Sequence, residues 1–263
     1  MSRPILTCGL GLLAVLGAPA LQARSAQLQV ARVGTPAGSV EQLRINLDWP
    51  DRADSGVLEL QAAQVDLPAL GGRLRAVRWR CPLRRSPGSG WICAGTLRAA
   101  GIAPMQLAIR LDETALHAEL ARAGTRVQLA RTMARPDVFA VVLEQVPLAW
   151  MQGLLAQAWP QARFTGGHVD GRLHLQADAR ALQVDGPLQL AAVGLQNGDA
   201  SIVGEGLGAR VQLHYRSAPE ATRARVEATL QGGEFLAGNT YVALPQTPVG
   251  LQLEAVREGP GGW

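Results

Sequence analysis

The sequence predicts a mainly β protein: antiparallel strands in series, one apolar face to the sheet they build, and one short amphipathic helix near 148–158. Three observations predict it. Segments such as Arg172-Leu173-His174-Leu175-Gln176-Ala177-Asp178, Ala209-Arg210-Val211-Gln212-Leu213-His214-Tyr215 and Arg225-Val226-Glu227-Ala228-Thr229-Leu230-Gln231 alternate apolar and polar residues. Side chains on a strand point to opposite faces with period two, so each segment has one greasy face and one wet face. Gly and Pro punctuate these runs at short spacing, as in meandering antiparallel proteins. Hydrophobic residues make up 48% of the chain but aromatics only 4%, so the apolar mass is Leu, Val and Ala. That composition suits a smooth aliphatic surface rather than a stacking platform.

The chain begins with Arg3, an apolar run from Ile5 to Leu16, and Gly17-Ala18-Pro19-Ala20. A basic start, a short apolar core and an A-x-A site describe a secretory signal peptide over 1–20, cleaved after Ala20 or, as a second candidate, Ala23. An uncleaved anchor is the alternative, although the run is short of the ~20 apolar residues that a spanning helix needs. Removing the signal removes Cys8 and leaves Cys81 and Cys93. An even pair in an exported chain reads as a disulfide, here across a hairpin tip with turn chemistry at Pro87-Gly88-Ser89-Gly90. Two cysteines with no matching pair or nearby histidines do not complete a zinc site.

Strands are expected over parts of 27–47, at Val57 to Ala62, Leu74 to Arg80, Cys93 to Leu97, Met105 to Leu111, Leu116 to Leu120, Arg126 to Ala130 and Phe139 to Leu143. In Leu74 to Arg80, strict alternation puts Leu74, Ala76 and Arg78 on one face and Arg75, Val77 and Trp79 on the other. Pro147 to Pro160 breaks the pattern. It lacks β-branched residues, and Leu148, Met151, Leu155 and Ala158 fall on one helical stripe. A helix packed on the sheet is favoured over a membrane contact, because the segment carries no basic polar face. Further strands follow at Val169 to Ala177, Ala181 to Val184, Leu188 to Leu195, Ala200 to Val203, Leu207 to Tyr215, Arg223 to Gln231, Glu234 to Leu236, Thr240 to Leu244 and Val249 to Val256. Turns are expected at Gly166-Gly167, Asp185-Gly186-Pro187, Gln196 to Asp199 and Gly232-Gly233.

Two stretches carry a resemblance. One runs Val146-Pro147-Leu148-Ala149-Trp150-Met151 to Phe164-Thr165-Gly166-Gly167-His168-Val169-Asp170-Gly171-Arg172-Leu173. The other runs Leu195-Gln196-Asn197-Gly198-Asp199-Ala200 through Gly204-Glu205-Gly206-Leu207 to Gly233-Glu234-Phe235-Leu236-Ala237-Gly238-Asn239-Thr240-Tyr241. Together they resemble the helix-to-strand pattern of AsmA-like proteins of the YdbH type, and the cysteine hairpin is at home there. The resemblance covers most of the mature chain. It implies a long curved antiparallel sheet forming an open groove (a β-taco) with an aliphatic interior, in a periplasmic protein that carries phospholipid between inner and outer membranes. Such bridges are usually several times longer, which makes this chain a fragment or a short relative. On this reading residues 1–20 are the signal peptide, 21–145 an N-terminal groove segment with the disulfide hairpin, 146–160 the helix, 161–258 a C-terminal groove segment and 259–263 a tail.

The groove lining is assigned to Leu173, Leu175, Val211, Leu213, Val226, Leu230, Leu251 and Leu253. The expected partners are phospholipid acyl chains and membrane-resident proteins of either membrane; no cofactor or reaction is called for. His168 and His174 flank Asp170 but read as surface histidines, Gly204 to Gly208 as a turn or bulge, and Asp112-Glu113 as a solvated hairpin tip. The net charge of +4 comes from arginine alone, since the chain has no lysine. Without basic clusters interleaved with aromatics, nucleic acid is not expected as a partner. Two rival classes stand beside the lipid groove: a structural or interaction subunit of the envelope, such as a type II secretion accessory protein, and an outer-membrane barrel, which predicts aromatic girdles.

Overall fold

The computed structural model describes residues 25–35, 38–51, 53–67, 72–86, 88–178, 181–245 and 247–259. The expected signal peptide and the tail beyond Gly259 lie outside these residues. The strands are β1 (Ser25–Thr35), β2 (Gly38–Asp48), β3 (Ser55–Leu67), β4 (Gly72–Ser86), β5 (Gly90–Ala99), β6 (Ile102–Leu111), β7 (Ala115–Arg122), β8 (Thr125–Thr132) and β9 (Val138–Pro147). A 3-10 turn (Leu148–Met151) and helix α1 (Gln152–Ala158) follow. Then come β10 (Arg163–Ala177), β11 (Leu182–Gln196), β12 (Ile202–Ser217), β13 (Ala221–Gln231), β14 (Glu234–Ala237), β15 (Thr240–Ala243) and β16 (Val249–Glu258). All belong to one sheet, whose hydrogen-bonded path runs β1 to β13 in order and then β16, with β14 and β15 forming a side hairpin on β12. Every pairing is antiparallel, and the path does not close: β1 and β16 are its two ends. This is the antiparallel sheet of serial strands that the alternation predicts, in the long open form that the resemblance implies.

Several strands are longer than expected. Asp185-Gly186-Pro187 is not a turn but the middle of β11, and Gly166-Gly167 lies inside β10. Gly186 sits where a Cβ would collide with the backbone of Arg172, so a residue that usually makes a turn here permits close strand approach. Gly204-Glu205-Gly206 lies within β12, where that strand changes partner from β14 to β13.

Bulges hold the apolar residues on one side. Gln145 (φ 50°) adds an extra residue to β9, shifting its register against β10 between Val169 and Gly171. Leu143 and Val146 therefore share a face, although simple alternation would separate them. The Asp170 carboxylate accepts from the backbone N–H of Gln145 at 2.8 Å and from its Nε2 at 3.0 Å, fixing the bulge. Ala192 (φ 50°) does the same for Leu190 and Val193 in β11. Across from it Gly167, at φ 99°, is pressed against the backbone of β11, where a side chain has no room. In β4 the irregularity falls at Ala76 (φ 50°), so the expected facing of Leu74 is corrected: Leu74 is half-buried on the side of buried Val77 and Trp79.

Among the described residues most of the large buried apolar side chains gather in two clusters. One comprises Trp79, Cys81 and Cys93 with Leu58, Leu60, Leu83, Leu97, Leu107 and Ile109 around them. Cys81 and Cys93 form the expected disulfide, with Cα atoms 5.4 Å apart, and Trp79 Nε1 donates to the Leu107 carbonyl at 3.2 Å. The other cluster comprises Leu143, Val146, Leu148, Val169 and Val193. Leu148 lies in the 3-10 turn, so the helical segment packs on the sheet as expected. Gln152 ties it down, donating to the Ala162 carbonyl and accepting from the Phe164 N–H.

Four surface carboxyls sit below their ordinary value. Hydrogen bonds from Gln64 and then Arg73 lower Asp66, those of Thr114 lower Asp112, and those of Ser201 lower Asp199. For Asp185 burial acts upward, but hydrogen bonds from Gln183 and His214 and the charges of His214 and His174 outweigh it. A carboxyl lowered in the folded state stabilises above its unfolded pKa, and that contribution is lost as pH falls through the folded value. Thermal midpoints are thus expected to stay level above about pH 5 and to fall below about pH 4. A scan that stays level down to pH ~2 contradicts this.

Candidate functional site

Cross-strand partners in an antiparallel ladder lie on the same face, so the register shows which side chains share a surface. Leu253 faces Val226, Val226 faces Leu213, and Leu213 faces Gly186, which abuts Leu173. The row continues from Leu173 through Val141, Leu129, Ala118, Ile109, Cys93 and Leu83. A second row runs Leu251, Ala228, Val211, Leu188, Gly171, Leu143, Val127, Leu120, Leu107 and Gly95. Leu230 stands between Ala209 and Val249, and Leu175 between Phe139 and Val184. All eight residues assigned to the lining therefore lie on one face of the sheet. Six are half-buried, while Leu251 and Leu253, on end strand β16, are exposed at 42% and 54%.

The sequence assignment stopped short of the N-terminal half of this face. Val127, Leu129, Val141, Leu143, Leu107 and Ile109 belong to the same rows, and the signal for them was the same alternation in β6 to β9. What alternation cannot give is register: it shows that each strand has a greasy face, not that the faces line up across eleven strands.

The two ends of the face differ chemically. At one end the 3-10 turn and α1 sit on it through Leu148 and Met151. At the opposite strand ends, arginines lie over aromatic rings. Arg131 lies on this face, 5.8 Å from the Phe139 ring centroid, and Arg85 lies 5.4 Å from that of Trp91. Trp49 meets Trp91 edge-on at 5.6 Å. Sequence reasoning did not assign these residues, because a lone arginine in an alternating run reads as a solvated position.

The opposite face is polar. His174, Asp185 and His214 are side by side on β10, β11 and β12, with His214 Nδ1 2.9 Å from Asp185 Oδ1. His168 Nε2 is 3.8 Å from Asp170, whose carboxylate is engaged by the β9 bulge. Among the described residues no group of three or more His, Cys, Asp or Glu is arranged to hold a metal ion. No helix among them is long and apolar enough to cross a membrane. The disulfide indicates an oxidising, extracytoplasmic compartment. No protein-family model, no curated protein and no solved structure matches the chain.

Proposed function

We propose that the chain is a periplasmic lipid-binding groove protein that contributes to phospholipid transport between inner and outer membranes, in the manner of AsmA-like proteins of the YdbH type. One observation carries the reading: a continuous apolar face runs across an open sheet, and apart from buried Ala228, Leu143 and Cys93 its side chains are half-buried or exposed. The mechanism is passive. Burying an acyl chain against Leu173, Leu213 and Val226 contributes about 0.8 kcal/mol per methylene, so a chain of ordinary length is held firmly without any pocket closing over it. Arg85 and Arg131 at one end, with their aromatic neighbours, suit phosphate head groups. At about 4.8 Å per strand, the fourteen-strand path gives a face roughly 65 Å long. That is short for an envelope-wide bridge and calls for membrane-resident partners or for shuttling. The apolar N-terminus serves as the export signal in this reading, with an uncleaved inner-membrane anchor as its variant.

A second reading, a structural or interaction subunit of the envelope, is favoured by the sheet's ends. Among the described residues β1 and β16 each have one unpaired edge, and Leu28 on β1 is 54% exposed. There a partner strand, rather than lipid, covers the apolar side chains. Native mass spectrometry of protein gently purified from a bacterial periplasm, with lipid extraction of the same sample, separates the two. Phospholipid at a reproducible ratio is the expected result. A lipid-free mass from stably folded protein sinks the groove reading in favour of the subunit.

A further inference from the structure

The polar face of β4, β5 and β6 carries a concentration of charge that the whole-chain balance conceals. These three adjacent strands hold Arg73, Arg75, Arg78, Arg80, Arg84, Arg85, Arg98 and Arg110 and no Asp or Glu. The chain has 25 arginines and 21 acidic residues, so outside these strands it has 17 against 21. A net charge of +4 is thus +8 on these three strands and −4 on the remainder. All eight are exposed, and all but Arg85 lie on the face opposite the aliphatic rows.

The arrangement opposes the sheet's own stability. Arg78 and Arg98 are direct cross-strand partners, and like charges placed opposite one another destabilise a ladder. Arg110 is opposite Ile92, which in turn is opposite Arg84. Among the described residues Arg73 alone of the eight has a carboxylate ion pair, with Asp66. Elsewhere the chain pairs such charges: Arg126 with Glu119 and Glu144, Arg225 with Glu227 and Glu254. A second facing pair, Arg216 and Arg223, lies near the carboxylates of β11 and β16.

We infer that this face docks the protein, reversibly and electrostatically, on an anionic phospholipid membrane surface. The charges are spread over exposed positions of three neighbouring strands, which fits many phosphates at once better than one small ligand. Guanidinium groups bind phosphate oxygens bidentately, and each basic group near an anionic bilayer adds to binding. Between them lie Ala94, Ala108, Thr96 and Gln106, and Ile92 is half-buried between Arg84 and Arg110, so docking on this face rests on charge rather than on insertion into lipid. An oxidising extracytoplasmic compartment favours a membrane over nucleic acid as the polyanion. The inference does not depend on the groove holding lipid, because it concerns the other face of the sheet.

The test is vesicle flotation of the full exported chain with phosphatidylcholine vesicles, with or without phosphatidylglycerol. Binding is expected only with the anionic lipid and is expected to disappear above about 0.3 M salt, where the screening length is short. The triple variant R78Q/R98Q/R110Q is expected to weaken binding by roughly a hundredfold. R172Q/R210Q, on the same face among Asp170 and Glu227, is expected to leave it near wild type. Because R98E would place a carboxylate opposite Arg78, it is expected to raise the thermal midpoint while lowering vesicle binding, so folding and docking are read separately. Equal binding to neutral vesicles, or salt-insensitive binding, overturns the inference. So does capture by heparin with no binding to anionic vesicles, which would mark a soluble polyanion as the partner.

Discussion

Replacing Leu213 by Asp is expected to remove co-purifying lipid while leaving the sheet assembled. Leu213 lies between Gly186 and Val226, third from the β16 end of the longest apolar row. It is half-buried, so a carboxylate there keeps access to water in the empty protein and its cost to folding is modest. An acyl chain laid along the row would strip that water away, and burying an unpaired carboxylate is expensive enough to exclude the chain from that stretch. Lipid occupancy by native mass spectrometry is expected to fall at least tenfold, a change of about 1.4 kcal/mol or more. The unfolding midpoint is expected to move little, and the disulfide is expected to form as before. Unchanged occupancy in a folded Leu213→Asp protein removes this face from consideration as the lipid site. Position 173, on β10 beyond β11, gives an independent repeat with Leu173→Asp.

The second large effect concerns the disulfide. Cys81 and Cys93 are 1% and 3% exposed and, 12 positions apart in sequence, link β4 to β5. Loop closure of that size is worth about 3 kcal/mol. In Cys81→Ser/Cys93→Ser, buried hydroxyls beside Trp79 and Leu83 add to the loss. The expected consequence is local before it is global. Each strand packs chiefly on its ladder neighbours, and the two hydrophobic clusters do not merge, so the sheet behaves as a near one-dimensional stack. Hydrogen exchange is expected to quicken in β3 to β6 first, while amides of β9 to β12 remain protected. Uniform loss of protection along the chain would instead mean that the sheet unfolds as one unit.

The fold was legible because the face pattern is written in steps of two. Leu173, Leu175, Val211 and Leu213 alternate without interruption, and each does lie on the same side of the sheet. The misreadings share one cause. Gly186-Pro187 and Gly166-Gly167 have turn composition, but the structure uses the glycines for close strand approach and for a bulge. Composition reports which conformations a residue permits; the neighbouring strand decides which is used. Leu74 was assigned to the wrong face because Ala76 interrupts the alternation, and an Ala in a strand gives no warning of a positive φ. The arginine array was invisible for a related reason. Arg98 and Arg110 are far from Arg78 in sequence, and only the ladder brings the three strands together.

The even number of strands on the hydrogen-bonded path has a consequence for how such a chain can change in length. With fourteen strands, the two end strands run in opposite directions while presenting the same greasy side. A hairpin can therefore be inserted or lost anywhere along the path, altering the span by about 10 Å and leaving every other residue facing as before. Insertion of a single strand has no such freedom, since it either reverses the direction of all that follow or requires a crossover. Growth by duplication is thus quantised in pairs, and relatives of this architecture should differ in size by whole hairpins.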